Sequence, residues 1–292
     1  MYKNMLVPVD GSPLAETVLP YVYKLCDRFD LQVTFLHVCH DHDQAVFMCE
    51  AYVNHLADAV KQQVKSPKGA MAAVTLSGSV AERILEQART RGSDLILMAA
   101  HGYSGSRWVL GSVVHKVLTS ATQPVLVVRD SLPAGLGGWP QEAIVPLDGS
   151  TLSESVLPHV VALARTGVKV TLLRVCEPPV LLADYPDTVM PDNWEQHIKL
   201  AEKGAQNMCN AYLDGPVKDK LRKEGVEAQS TVVLAAGAAN GIMEYVGQFP
   251  SALVVMSTHG RSAFSRWPYG HVADRILLAS TNPILLVRPQ KS

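Results

Sequence analysis

Leu6-Val7-Pro8-Val9-Asp10-Gly11-Ser12 returns as Ile144-Val145-Pro146-Leu147-Asp148-Gly149-Ser150, 138 residues further along the chain. A short apolar run ending in Asp-Gly-Ser reads as a buried strand that leaves into a tight turn. The match continues past the turn, where Leu14, Glu16, Val18, Leu19 and Pro20 recur as Leu152, Glu154, Val156, Leu157 and Pro158. Thr34-Phe35-Leu36-His37-Val38-Cys39 then matches Thr171-Leu172-Leu173-Arg174-Val175-Cys176, and Leu97-Met98-Ala99-Ala100-His101-Gly102 matches Val255-Met256-Ser257-Thr258-His259-Gly260. Pro124-Val125-Leu126-Val127-Val128-Arg129 closes the first half as Pro283-Ile284-Leu285-Leu286-Val287-Arg288 closes the second. Matched blocks in one order mean that a domain has been duplicated.

The length of 292 residues suits two domains, each able to bury its own core. The expected bounds are 1–131 for the first and 141–292 for the second. Leu132 to Pro140, rich in Gly and Pro, forms the linker between them. The offset between copies grows from 137 at the second block to 158 at the third, so the second half carries extra residues between Cys176 and Ser257. Glu177 to Asn193, with its Pro and Asp content, is the natural place for them: a long loop, with a lid over the second copy's site as one use.

Apolar runs at Met5 to Val9, Gln32 to Val38, Ala72 to Leu76, Leu95 to Ala99 and Val125 to Val128 predict five strands in the first copy. Between them, Leu14, Val18, Val22 and Leu25, and later Ile84, Leu85 and Ala88, show helical spacing. Near-continuous apolar strands separated by helices predict a parallel sheet covered on both faces, a doubly wound α/β fold in each copy. Hydrophobic residues at 48%, charged residues at 18% and a net charge of −1 exclude a disordered chain and a nucleic-acid-binding one. The first apolar run meets Asp10 too soon for a signal segment or a membrane span, so a cytoplasmic protein is expected. Cys26, Cys39, Cys49, Cys176 and Cys209 show no C-x-x-C spacing and are odd in number, which predicts buried free thiols in a reducing compartment.

In such a sheet, ligands bind beyond the carboxyl ends of the strands, where the winding reverses. Two strand ends stand out in each copy: Asp10-Gly11-Ser12, and the His101-Gly102-Tyr103-Ser104-Gly105 loop followed by Gly111-Ser112. Glycines let backbone N–H groups approach an anion, and Gly111-Ser112 opens a helix (Val113, Val114, Val117, Leu118) whose N-terminal dipole favours phosphate. The same glycines also suit an ordinary strand-to-helix turn, and each aspartate equally suits a helix cap.

Together these residues resemble the universal stress protein family: Pro-hydrophobic-Asp-Gly-Ser at the start, a His-Gly loop with a downstream Gly-Ser, and a closing Pro-Val-Leu-Val-Val strand, twice over. The resemblance covers nearly the whole chain. It implies a five-stranded parallel sheet of order 3-2-1-4-5 with an adenine nucleotide alpha hydrolase-like fold. It also implies a homodimer formed through last-strand edges and, in one branch of the family, ATP held by G-x2-G-x9-G-[S/T], with or without magnesium. Carried over, the nucleotide-contacting positions are Asp10, Val38, Ala99, Gly102, Gly105, Gly111, Ser112 and Val113 in the first copy. In the second they are Asp148, Val175, Ser257, Gly260, Gly270 and His271. Ala99 and Ser257 replace the motif's first glycine, the first copy is one residue short between Gly102 and Gly111, and His271 replaces the final hydroxyl.

Three further constellations complete the reading. Arg107 and Trp108 recur as Arg266 and Trp267; they read as a solvated guanidinium and a packed indole, with a bidentate phosphate contact as the alternative. His37 to Asp43 concentrates metal-ligand types without a regular ligand pattern, and no metal is assigned to it. No nucleophile elbow, Walker lysine or zincin motif is present, so no catalytic residue is assigned. The expected function is a stress-response module that binds ATP or a related adenine nucleotide; a dimerisation scaffold and a slow ATPase are the alternatives.

Overall fold

The computed structural model describes residues 2–39, 43–64, 69–76, 78–102, 110–129, 139–178, 194–258 and 270–289. Loop residues Gly105, Arg107, Trp108, Gly260, Arg266 and Trp267, and most of the linker and of the 177–193 segment, lie outside the described residues.

The first copy contains β1 (Asn4–Pro8), α1 (Leu19–Arg28), β2 (Gln32–Cys39), α2 (Asp43–Gln63), β3 (Ala70–Leu76), α3 (Val80–Thr90), β4 (Leu95–Ala99), α4 (Ser112–Ser120) and β5 (Val125–Val128). The second contains β6 (Glu142–Pro146), α5 (Leu157–Ala164), β7 (Lys169–Cys176), α6 (Trp194–Tyr212), α7 (Lys218–Lys223), β8 (Gln229–Leu234), α8 (Ala238–Gly247), β9 (Leu253–Ser257), α9 (His271–Ala279) and β10 (Ile284–Val287). A π-helical turn at Leu213–Val217, holding Pro216, joins α6 to α7. Proline lacks an N–H, and the wider turn accommodates the break in the ladder.

The strands form one sheet of order β3-β2-β1-β4-β5-β10-β9-β6-β7-β8. Each half has the expected order 3-2-1-4-5, and all pairings are parallel except β5 with β10, where Leu126 faces Leu285 across the seam. This corrects one expectation: the last-strand edges pair with each other inside a single chain, so they are not open to a second chain. An unpaired edge presents a row of N–H and C=O groups, and the tandem partner satisfies them.

Side chains alternate between two faces because the strand period is two. Met5, Val7, Phe35, Leu97, Leu126, Val145, Val255 and Leu285 share a core layer with Val22 and Leu25 of α1, Val53 of α2, Val160 of α5 and Leu221 of α7. Leu6, Leu36, Ile96, Val127, Ile144, Val254 and Ile284 face the other layer, with Ile84 of α3, Val117 of α4, Ile242 of α8 and Ile276 of α9. Both layers run unbroken through the two copies. Each fully buried Leu, Ile or Phe removes enough apolar area to contribute about 1.5–3 kcal/mol before its entropic cost.

Two more contacts tie the first copy to the second and to the linker. Tyr2 places its hydroxyl 2.8 Å from His159 Nδ1, and the Arg28 guanidinium lies 5.5 Å above the ring of Trp139. Tyr52 and His37, on α2 and β2, meet edge to face at 5.9 Å between centroids.

The expectation of free thiols holds for Cys26, Cys176 and Cys209, but Cys39 and Cys49 are joined as a disulfide with Cα atoms 6.6 Å apart. Only the packing of α2 on β2 brings this pair together, which spacing in the sequence cannot show. Burial pushes the Cys26 thiol up to about 12, so it stays protonated and serves as packing. Among the described residues no helix is long and apolar enough to cross a membrane.

Candidate functional site

The crevice of the first copy is built where β1 and β4 run side by side, paired at Met5 with Leu95 and Leu6 with Ile96. Helix α1, which follows β1, packs in one core layer, and α4, which follows β4, packs in the other. Asp10, just past β1, accepts hydrogen bonds on Oδ1 from the Ser12 backbone N–H at 3.0 Å and from its hydroxyl at 2.6 Å. Ser12 Oγ in turn accepts the Ala15 N–H at 3.1 Å, at the start of a 3-10 turn over Ala15–Val18. The serine therefore caps the turn and the aspartate braces the serine, so the capping role offered as the alternative for Asp10 falls to Ser12. Gly11, at φ +79°, supplies the left-handed bend that an L residue adopts only with strain.

Across the crevice, Gly102 approaches so closely that a Cβ there would overlap Asp10 Oδ2. Its missing side chain is what lets the β4 loop and the aspartate share the space. Gly111 donates its N–H to the Ala100 carbonyl at 2.9 Å, and a Cβ at Gly111 would stand 3.3 Å from that same oxygen. Gly111 has an ordinary φ of −60°, so close approach is its reason to be glycine. Ser112 and Val113 open α4, whose first-turn N–H groups have no acceptor within the helix. Val38 sits on β2 beside this crevice, half-buried, two residues beyond Leu36, whose carbonyl accepts the Val9 N–H.

The second crevice repeats the turn closely. Asp148 Oδ1 accepts from Ser150 N–H at 2.9 Å and from its hydroxyl at 2.6 Å, and Ser150 Oγ accepts the Ser153 N–H at 3.1 Å. The helix start differs. Gly270 caps α9 at φ +78°, and exposed His271 is the first helical residue. Val175 is crowded by α8, where a Cβ at Gly241 would come within 2.9 Å of both Val175 methyls.

Ala99 and Ser257 are buried strand-end residues, paired with Val128 and Val287. The Ala99 side chain belongs to the core layer beneath α1 and α2.

The profile of the universal stress protein family matches residues 1–129 and again 141–288. The chain belongs to the universal stress protein family. Over 308 residues it is 24% identical to a universal stress protein of Mycolicibacterium smegmatis, covering 98% of this chain and 97% of that one. The universal stress protein YxiE of Bacillus subtilis is 30% identical over 148 residues, 44% of this chain and the whole of YxiE. Among solved structures, a universal stress protein from Archaeoglobus fulgidus superposes with a TM-score of 0.66 at 16% identity, covering 99% of this chain and 97% of that one, a likeness of fold.

In this universal stress protein the motif histidine has an inward role. His101 is 4% exposed, and its Nε2 accepts a hydrogen bond from Arg129 Nη1 at 3.0 Å. Arg129 also donates from Nη2 to the carbonyls of Leu277 and Leu278, at the end of α9 in the other copy. Arg288 returns the contact, Nη1 to the Thr119 carbonyl at 2.7 Å, at the end of α4. Cations at helix C-termini meet the negative end of the helix dipole and orphan carbonyls. Sequence reasoning quoted both arginines as strand-end matches and missed this exchange, whose only signal was their recurrence in both copies.

Proposed function

We propose that the crevice of each copy binds an adenine nucleotide, ATP or a close relative, and that the protein acts as a cytoplasmic binding module whose occupancy alters its choice of partner. The observation that carries this reading is the fit of Gly102 against Asp10 Oδ2, beside the open first turn of α4. A carboxylate accepts from ribose hydroxyls, and backbone N–H groups at a helix start accept no charge but donate to phosphate. Asp10 would hold the nucleoside end, the chain at Val38 the adenine, and Gly102, Gly111, Ser112 and Val113 the phosphates. In the second copy the corresponding groups are Asp148, Val175, Gly270 and His271; Gly260 there and Gly105 in the first copy lie outside the described residues. Magnesium, when bound with the nucleotide, neutralises phosphate charge.

The described crevice groups are a braced carboxylate, backbone donors and a hydroxyl. These suit holding a nucleotide more than activating water. Calorimetric titration with ATP and Mg²⁺ is the test. Nucleotide at about a hundred times Kd should stabilise the fold by about 2.7 kcal/mol through mass action, seen as a rise in Tm. No heat and no change in Tm with a large excess of nucleotide would remove the proposal and leave the tandem scaffold reading.

A further inference from the structure

We propose that His37, Cys39 and Cys49, once the disulfide is reduced, form a site for a thiolate-seeking cation of the zinc class on the rear wall of the first crevice. One ligand atom from each residue lies within 4.8 Å of the other two. His37 and Cys39 stand two apart on β2 and so face the same way, towards α2. Cys49 lies on α2 one turn before Val53, which is fully buried against the sheet. One imidazole nitrogen and two thiolates are a ligand set that zinc prefers, and three protein ligands leave a fourth tetrahedral position for solvent.

The imidazole is already set for the role. His37 Nδ1 lies 3.0 Å from the Val9 carbonyl, which can only accept, so in the neutral ring the proton sits on Nδ1 and the lone pair on Nε2. Metal-binding histidines characteristically donate their second N–H to such a carbonyl, which fixes the tautomer and orients the ring. Tyr52 meets the same ring edge to face, and its hydroxyl donates to Glu16 Oε1 at 3.0 Å. Val9 is the residue before Asp10, so the cluster and the crevice carboxylate are joined through one peptide unit.

The second copy supplies an internal comparison. Cys176 and Cys209 occupy the matching places and interact with each other, and Tyr212 donates to Glu154 as Tyr52 does to Glu16. Arg174 replaces His37 and takes over both of its contacts, with Nη1 3.4 Å from the Leu147 carbonyl and the guanidinium 5.3 Å above the Tyr212 ring. Arginine stays protonated and offers no lone pair. Packing is thus common to both copies, while the ligating nitrogen belongs to the first alone. Burial holds the Cys176 thiol above its usual range, so that thiol remains protonated.

Loading follows a balanced sequence. Two equivalents of a thiol reductant convert the Cys39–Cys49 disulfide to two thiols and are themselves oxidised to one disulfide; the cation then displaces one proton from each thiol. With the Cys39–Cys49 disulfide intact, this site has no thiolate to offer.

The full chain, reduced with a phosphine and desalted without oxygen, is titrated with Co²⁺ and then with Zn²⁺ against a chromogenic chelator. One equivalent per chain, a thiolate-to-cobalt charge-transfer band and its displacement by Zn²⁺ are expected. Cys49→Ser should weaken binding by at least about tenfold. His37→Arg should abolish the band while leaving Tm and far-ultraviolet dichroism unchanged, because Arg174 shows that arginine satisfies the same two contacts. Absence of the band in the reduced protein, its persistence in His37→Arg, or equal binding by the oxidised chain would each overturn the proposal. The readout uses no nucleotide and stands apart from the crevice reading.

Discussion

Asp10 and Gly102 are far apart in the chain, yet the absence of one Cβ decides how they share the crevice. Gly102→Ala would press a methyl group on Asp10 Oδ2, whose carboxylate Ser12 holds through Oδ1, and should cost about 1–3 kcal/mol. The carboxylate would have to leave its place, and nucleotide affinity at the first crevice should fall by about tenfold or more if that place matters. Calorimetry on Gly102→Ala, Asp10→Ala and the double variant checks this: the two single losses should not add. Strict additivity would mean that the glycine and the aspartate do not act on the same ligand. The aspartate, glycine and serine positions were legible in the sequence because each copy spells them out. The inward turn of His101 was not, since a residue name carries no direction and the acceptor geometry arises only when β5 delivers Arg129 beside it.

At the scale of elements, α4 and α9 are short helices whose C-terminal carbonyls are capped by an arginine from the opposite copy. Arg129 is half-buried and bonded to His101 as well, so Arg129→Ala should cost about 1–2 kcal/mol. Arg288 is exposed and solvent screens its contact, so Arg288→Ala should cost less than about 1 kcal/mol. Urea denaturation of both variants measures the difference; an equal effect would mean that the His101 bond contributes nothing. The strand positions read from the sequence agree with β1 to β5 within two residues at each end, because buried parallel strands are continuous apolar runs. The first helix was less legible. The spacing from Leu14 to Leu25 predicts one helix, whereas the chain makes a 3-10 turn at Ala15–Val18 before α1 begins, with Pro20 in the first turn. Proline suits a helix start and not its interior, and that resets the boundary.

The whole molecule behaves as one sheet with two core layers that cross the seam between copies. The Tyr2–His159 bond is part of that joint, and burial holds the His159 imidazole below its usual 6.5. The unfolded chain therefore takes up a proton at a higher pH than the folded one, and stability rises with pH in the interval between the two values. Full stability from this group is present above about pH 6.5 and is lost as pH falls towards the lower folded value, by at most about 1.4 kcal/mol per pH unit. Unfolding free energies measured across that interval should slope accordingly, and His159→Gln should flatten the slope. An unchanged slope would assign the acid sensitivity to other groups.

The sequence by itself determined the duplication, the doubly wound class, the strand order implied by family resemblance and the pair of strand-end turns, since these rest on local patterns that occur twice. Tertiary structure alone decided that β5 and β10 close on each other, that His101 serves Arg129, and that Cys49 meets Cys39 next to His37. Each of these depends on which faces meet when helices pack on the sheet. Residues remote in the chain become neighbours there, and no local pattern records the distance between them.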